Sequence, residues 1–95
     1  MNWWVKITKE VNRRIGSWGL PRSLLVQVLV RLHHDLPSNP DFHLGPRLIP
    51  QANFLMKFAL PDPAGIGTHV FQFHVDRNDQ SRRLYVVSAE HETKP

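Results

Sequence analysis

The chain has 95 residues, of which 41% are hydrophobic and 21% charged, the balance of a globule and not of a disordered tail; that length leaves room for one core, read as one domain over residues 1–95. With no cysteine, disulfides, thiolate metal sites and a cysteine nucleophile are excluded, and with no apolar run near the ~20 residues that span a bilayer, and no apolar signal region at the N-terminus, a cytoplasmic location without membrane partners is expected. The net charge of +4 sits wholly in residues 1–22, where Lys6, Lys9, Arg13, Arg14 and Arg22 face Glu10 alone, while the rest of the chain balances seven basic against seven acidic groups; a basic face of this kind favours a polyanionic partner, although a solvated helix face has the same composition.

Residues 3–8 (WWVKIT) are β-rich with rough alternation and predict a first strand that puts Trp3 and Trp4 on opposite faces. Thr8 is placed to cap a short helix in which Val11, Ile15 and Trp18 form one apolar stripe, with Lys9 and Arg13 on the opposite side and Arg14 beside them. Gly16 and Gly19 end it. Pro21 opens a longer helix whose stripe is Leu24, Leu25, Val28, Leu29, Leu32 and Leu36. Pro37, Pro40, Gly45, Pro46 and Pro50 then stop the helix and predict an irregular connection over residues 37–50.

The last half reads as three strands joined by short turns. Residues 53–60 (NFLMKFAL) alternate, with Phe54, Met56, Phe58 and Leu60 on one face and Lys57 on the other. Residues 61–67 (PDPAGIG) are turn chemistry, and residues 68–76 (THVFQFHVD) alternate again, with Phe71, Phe73 and Val75 against Val70, Gln72 and His74. Residues 77–81 form a second turn, and residues 83–91 (RLYVVSAEH) a last strand. The predicted order is β-α-α-β-β-β: an α+β domain with two helices covering the phenylalanine face of a small antiparallel sheet and the first strand at an edge.

The pleat then sorts the polar residues. With the rings turned toward the helices, Lys57 and His74 point to the open face. The last strand has two nearly equally apolar faces, and a one-residue slip inverts it. The register that puts Leu84, Val86 and Ser88 inward sends Tyr85 and His91 to join Lys57 and His74, with Arg47, Arg82 and Arg83 at the rim; the other register buries Tyr85, Val87 and Ala89. The first is favoured because it leaves Arg83, Tyr85 and His91 in water. A lysine, two histidines and a tyrosine on one face suit cleavage of RNA without a metal or other cofactor. A histidine takes the 2′-hydroxyl proton or protonates the leaving oxygen, cations stabilise the charged phosphate, and tyrosine stacks on a base. The catalytic set expected on this reading is His74, His91, Lys57 and Tyr85, and the RNA-binding set is Lys6, Lys9, Arg13, Arg14, Arg47 and Arg83. The pair His33–His34 is not a metal site, since neighbours on a helix point about 100° apart, and His69 reads as a turn residue.

The opening strand with its basic helix (VKITKEVNRRI), the helix ending in DLPSNP, the RLI segment and the closing FQFHVD and RLYVVSAEH together resemble the RelE/ParE superfamily of toxins from type II toxin–antitoxin modules, along most of the chain. The resemblance implies helices on one side of the sheet, a ribosome-dependent cut in mRNA made on the other side, inhibition of translation, and neutralisation by a cognate antitoxin. It also implies an acid or base role for His91, which ends the last strand as a histidine does in some members. The family's third strand usually opens with arginine (R-x-V-Y), where this chain has His69-Val70-Phe71-Gln72-Phe73; with Arg77 assigned to the turn, no arginine is read on that strand, and His69 or His74 takes its place or the activity differs. The alternative is a non-enzymatic module of the same fold that binds a partner protein or nucleic acid.

Overall fold

The computed structural model describes residues 3–45 and 53–95. Strand β1 (Trp4–Ile7) leads through Thr8 into helix α1 (Lys9–Ser17). The Thr8 hydroxyl accepts from the Val11 amide at 3.3 Å, which satisfies one of the amides that a helix leaves unpaired at its start. Val11 and Ile15 are buried and Trp18 is half-buried, so the stripe read from the sequence faces the sheet. Gly19, with φ of +62°, reverses the chain in the left-handed region that glycine enters without penalty.

Helix α2 (Arg22–Val30) follows, and its path departs from expectation at the far end. It widens into a π-helical turn over Arg31–Asp35 and continues as α3 (Leu36–Ser38), with the Leu36 amide reaching back five residues to the Arg31 carbonyl. Pro37 therefore does not stop the helix. Its ring would collide with the carbonyl four residues earlier in a regular α-helix, and the wider turn relieves that clash. Leu24, Val28, Leu32 and Leu36 all remain fully buried along this run, each contributing roughly 1.5–3 kcal/mol by leaving water. The connection beyond it holds one more helical turn, α4 (Pro40–His43).

The sheet is β1-β4-β3-β2, with β2 (Phe54–Pro61), β3 (Thr68–Asn78) and β4 (Arg83–Lys94) antiparallel and β1 parallel to β4 at the edge. Because β1 and β2 lie at opposite edges, the helices between them must cross the sheet. They do so on the face carrying Met56, Phe71, Phe73, Val75, Leu84 and Val86, all buried. Among the described residues no helix is long and apolar enough to cross a membrane. Both long strands exceed the sequence reading: β3 runs to Asn78, so it does contain an arginine, Arg77, and β4 runs to Lys94, beyond the predicted end at residue 91.

The largest correction concerns β4. Val75 pairs with Val86 and His74 with Ser88, so Val87 is an extra residue in a β-bulge. Before it Leu84 and Val86 point to the helices, as in the favoured register; after it Ala89 is buried and His91 pairs with the buried Phe71. A bulge adds one residue to one strand and so exchanges the two faces beyond it. Neither uniform register is correct, and His91 is on the helix side.

Candidate functional site

The bulge gathers a group that no contiguous motif encodes. At the β2–β3 turn, Asp62 closes its own loop: its Oδ2 accepts from the Ala64 amide at 2.9 Å, its carbonyl accepts from Gly65 at 2.9 Å, and its amide donates to the Gly67 carbonyl at 3.1 Å. Gly67 has φ of +80°, and a Cβ there would lie 2.5 Å from the Lys94 carbonyl oxygen, so glycine lets the turn lie against the end of β4. The other carboxylate oxygen, Oδ1, is 2.7 Å from His69 Nε2. His69 Nδ1 is in turn 2.8 Å from His91 Nε2.

His69 is in phase with Phe71, Phe73 and Val75 and is buried; the expectation of a turn residue is corrected. An imidazole at such a position needs partners for both nitrogens, and Asp62 and His91 supply them. The His91 ring lies 5.0 Å from Phe71, 5.1 Å from Trp18 and 5.1 Å from His69, centroid to centroid. It is held on two aromatic sides and by one hydrogen bond.

This chain sets the protons. Asp62 is held below the ordinary carboxyl range by the hydrogen bond from His69, with the Ala64 amide adding to it. An ionised Asp62 accepts from His69 Nε2–H. His69 Nδ1 is then a lone pair, so His91 must donate to it from Nε2–H. His91 Nδ1 is left as a bare acceptor, with no protein partner among the described residues. Burial pushes the His91 pKa down, and repulsion from His69 adds to it, so the ring is neutral near pH 7.

His91 opens on a cleft of about 320 Å³ that also carries Arg14, Trp18, Gln72, Glu90 and Glu92. Arg14 reaches it because it stands three residues after Val11 and four before Trp18, on the flank of the stripe that packs α1 onto the sheet. Its guanidinium has no ion-pair partner among the described residues. The arrangement is a fixed neutral imidazole at a cleft that an unpaired cation, Arg14, also lines. Among the described residues no three histidine, aspartate or glutamate side chains are placed to hold a metal ion.

The other expected site residues fall elsewhere. Lys57, His74 and Tyr85 do share the open face: Lys57 is exposed opposite Gln72, His74 is half-buried between Leu55 and Ser88, and Tyr85 is half-buried between Asp76 and Lys6. The sheet lies between them and His91, so the expected four-residue cluster is not formed. Among the expected RNA contacts, Lys6 stands beside Tyr85 on the open face, and Arg83 lies over the exposed Trp4 ring at 5.2 Å. Lys9 and Arg13 are exposed on α1, and Arg14 is at the cleft. Arg47 and the RLI segment lie outside the described residues. Arg77 supplies the arginine on β3, but it is bound to Asp41 at 2.7 Å and Asp79 at 2.6 Å, with Trp3 against it at 4.8 Å. Sequence reasoning missed Asp62 and His69. The signal for His69 was its phase: a histidine in register with a run of inward phenylalanines must find a buried partner.

The architecture, four strands in the order β1-β4-β3-β2 under helices on one face, is a RelE-like fold. A chain of the toxin–antitoxin complex RelBE2 from Mycobacterium tuberculosis superposes with a TM-score of 0.68, covering 97% of this chain and 100% of that one at 19% sequence identity. No protein-family model matches the chain, and no curated protein matches it by sequence.

Proposed function

We propose that this protein is the toxin of a toxin–antitoxin module and that it acts by cutting RNA, with mRNA on the ribosome as its target and a separate antitoxin as its partner. The fold supports the module, because the solved chain it resembles was found in a toxin–antitoxin complex. The observation that carries the chemistry is the bare Nδ1 of a neutral, positioned His91 at a cleft that also holds the unpaired Arg14.

His91 Nδ1 takes the proton of a ribose 2′-hydroxyl. The 2′-oxygen forms a bond to the adjacent phosphorus, the bond from phosphorus to the 5′-oxygen breaks, and water supplies the proton that the leaving oxygen needs. Arg14 stabilises the extra negative charge on the phosphate oxygens. The exposed Lys9 and Arg13 extend the cationic surface along α1 and hold the strand by its backbone. Proton transfer by a positioned side chain is worth ~10²–10⁴-fold.

Inducible expression in a bacterium tests this reading. Growth arrest with cleaved mRNA is expected from the natural chain, and His91→Ala should restore growth. Normal growth and intact mRNA with the natural chain would overturn it and leave the non-enzymatic module, binding a protein or nucleic acid through the same surface.

A further inference from the structure

We propose that Asp62 and His69 are positioning residues for His91, forming an Asp–His–His relay that fixes which His91 nitrogen is bare and carries charge away from the cleft. The proposal rests on the reading of His91 as the base and extends it to two residues that touch no RNA.

Aromatic packing alone does not account for the arrangement. Trp18 and Phe71 hold the plane of the His91 ring, but packing is indifferent to which nitrogen carries the proton. The hydrogen bonds are not. Asp62 is anchored through Oδ2 to its own turn and presents Oδ1 to His69, and the two contacts of 2.7 and 2.8 Å run in one line of donors to His91. The buried His69 ring stands where β3 otherwise puts phenylalanine and valine, and it avoids the cost of a buried polar group only through the two hydrogen bonds that join Asp62 to His91.

The relay also answers an electrostatic difficulty. A proton gained at Nδ1 would leave a cation on a ring that burial makes a poor cation. When His91 accepts at Nδ1, its Nε2 proton can pass to His69 Nδ1. His91 is then neutral again, and His69 becomes the imidazolium, 2.7 Å from the Asp62 carboxylate. One proton enters, one is handed on, and the reverse transfer resets the chain. The titratable and charged groups around His91 are Arg14 from α1 at the same cleft, His69 from β3 and Asp62 behind it; Glu90 and Glu92, its neighbours on β4, pair with Gln72 and Val70, and the pleat turns their side chains to the other face, where Lys94 lies 3.6 Å from Glu92. Among the described residues, Asp62 is the carboxylate in hydrogen-bonded line with the two rings.

The test uses the full chain labelled with ¹⁵N in its imidazoles, as the natural protein, Asp62→Asn and Asp62→Glu. NMR reads the His91 tautomer and the pH at which the two rings gain a proton; cleavage of a short RNA gives kcat and KM. In the natural chain, neutral His91 should carry its proton on Nε2. In Asp62→Asn the side-chain amide can donate to His69 Nε2, which reverses the line of donors and moves the His91 proton to Nδ1. Protonation should then need lower pH, and kcat should fall ~10²-fold or more with KM little changed, as expected of a base in the wrong tautomer. Asp62→Glu should restore the Nε2–H form. A natural chain with the proton on Nδ1, or an Asp62→Asn chain unchanged in tautomer and protonation, would overturn the relay. If the natural chain cuts no RNA, the cleavage reading falls and the NMR result alone decides the relay.

Discussion

The two ends of strand β3 each place an ionisable residue on the helix-side face, and they use it in opposite ways. At one end Arg77 is closed off: Asp41 and Asp79 hold it, and Trp3 and Phe54 cover it at 4.8 and 5.9 Å. At the other end His69 is also bonded at both ring nitrogens, but its line continues to His91, a ring that lines a cleft and keeps one nitrogen without a protein partner among the described residues. The difference lies in the last partner. A cation that ends on two carboxylates is held in a clamp, whereas an imidazole chain that ends in a bare lone pair is set to accept a proton. Burial and hydrogen bonding are similar at both ends, so neither marks a functional site without the free valence.

The largest expected effect comes from the middle of the strand, because it supports both ends. Phe73 is fully buried and lies 5.9 Å from Phe58 and 6.3 Å from Trp18. Phe73→Ala should cost about 3–5 kcal/mol in chemical denaturation, and cleavage at moderate temperature should fall only as far as the folded fraction does. Arg77→Met comes next. Its aspartate partners are 80% and 70% exposed and gain little from the pairing, so the ring contact is the main loss and the change should cost about 1–2 kcal/mol. Cleavage per folded molecule should be unaltered. A fall in cleavage without a fall in melting temperature would place Arg77 in the chemistry and erase the contrast.

A smaller effect, fixed in sign, separates the ends by pH. His91 in the folded chain has a pKa below its ordinary value of 6.5, so the unfolded chain binds more protons just below that pH. Stability from this group is present above pH 6.5 and is lost as pH falls through the folded pKa. Asp62, held below its ordinary 3.8, adds a second loss of the same sign beneath that value. Urea unfolding at a series of pH values should show both losses. His91→Phe, which keeps an aromatic ring against Trp18, should abolish the upper one and leave the lower. An upper step that survives the change belongs to another histidine. The same protonation should reduce cleavage on the acid side, since only neutral His91 accepts a proton.

Much of this fold is legible in the residues. Leucines at helical spacing and phenylalanines at strand spacing each define a face, and two such faces have one economical way to cover each other. The site is less legible because it depends on Val87. Residues 84–89 read LYVVSA, apolar on both faces, so nothing local says where an extra residue enters; the pairing with β3 decides that, and it decides the side on which His91 emerges. Asp62 was hidden for a different reason. In a PDPAG turn an aspartate is explained by its own backbone, and its second oxygen, the one that meets His69, has no sequence signature. Arg77 was read as a turn residue because RNDQS has turn composition, yet the twist of a long hairpin carried the strand two residues into it.

The smallest expected effect is also the sharpest test of which face does the chemistry. His74 is a strand histidine like His91, but it lies before the bulge, on the open face with Leu55 and Ser88 as its cross-strand neighbours. No hydrogen bond ties its ring to another side chain among the described residues. His74→Ala should therefore move stability by less than ~1 kcal/mol and cleavage by less than about threefold, against the ~10²–10⁴-fold expected for His91. Thermal melting and RNA cleavage on the same two proteins make the comparison. A loss at His74 equal to that at His91 would require a substrate touching both faces of the sheet, passing around the stretch of β4 beyond Val86 where β1 no longer pairs. A loss at His74 alone would move the chemistry to the open face with Lys57 and Tyr85 and leave the imidazole relay as a piece of the core.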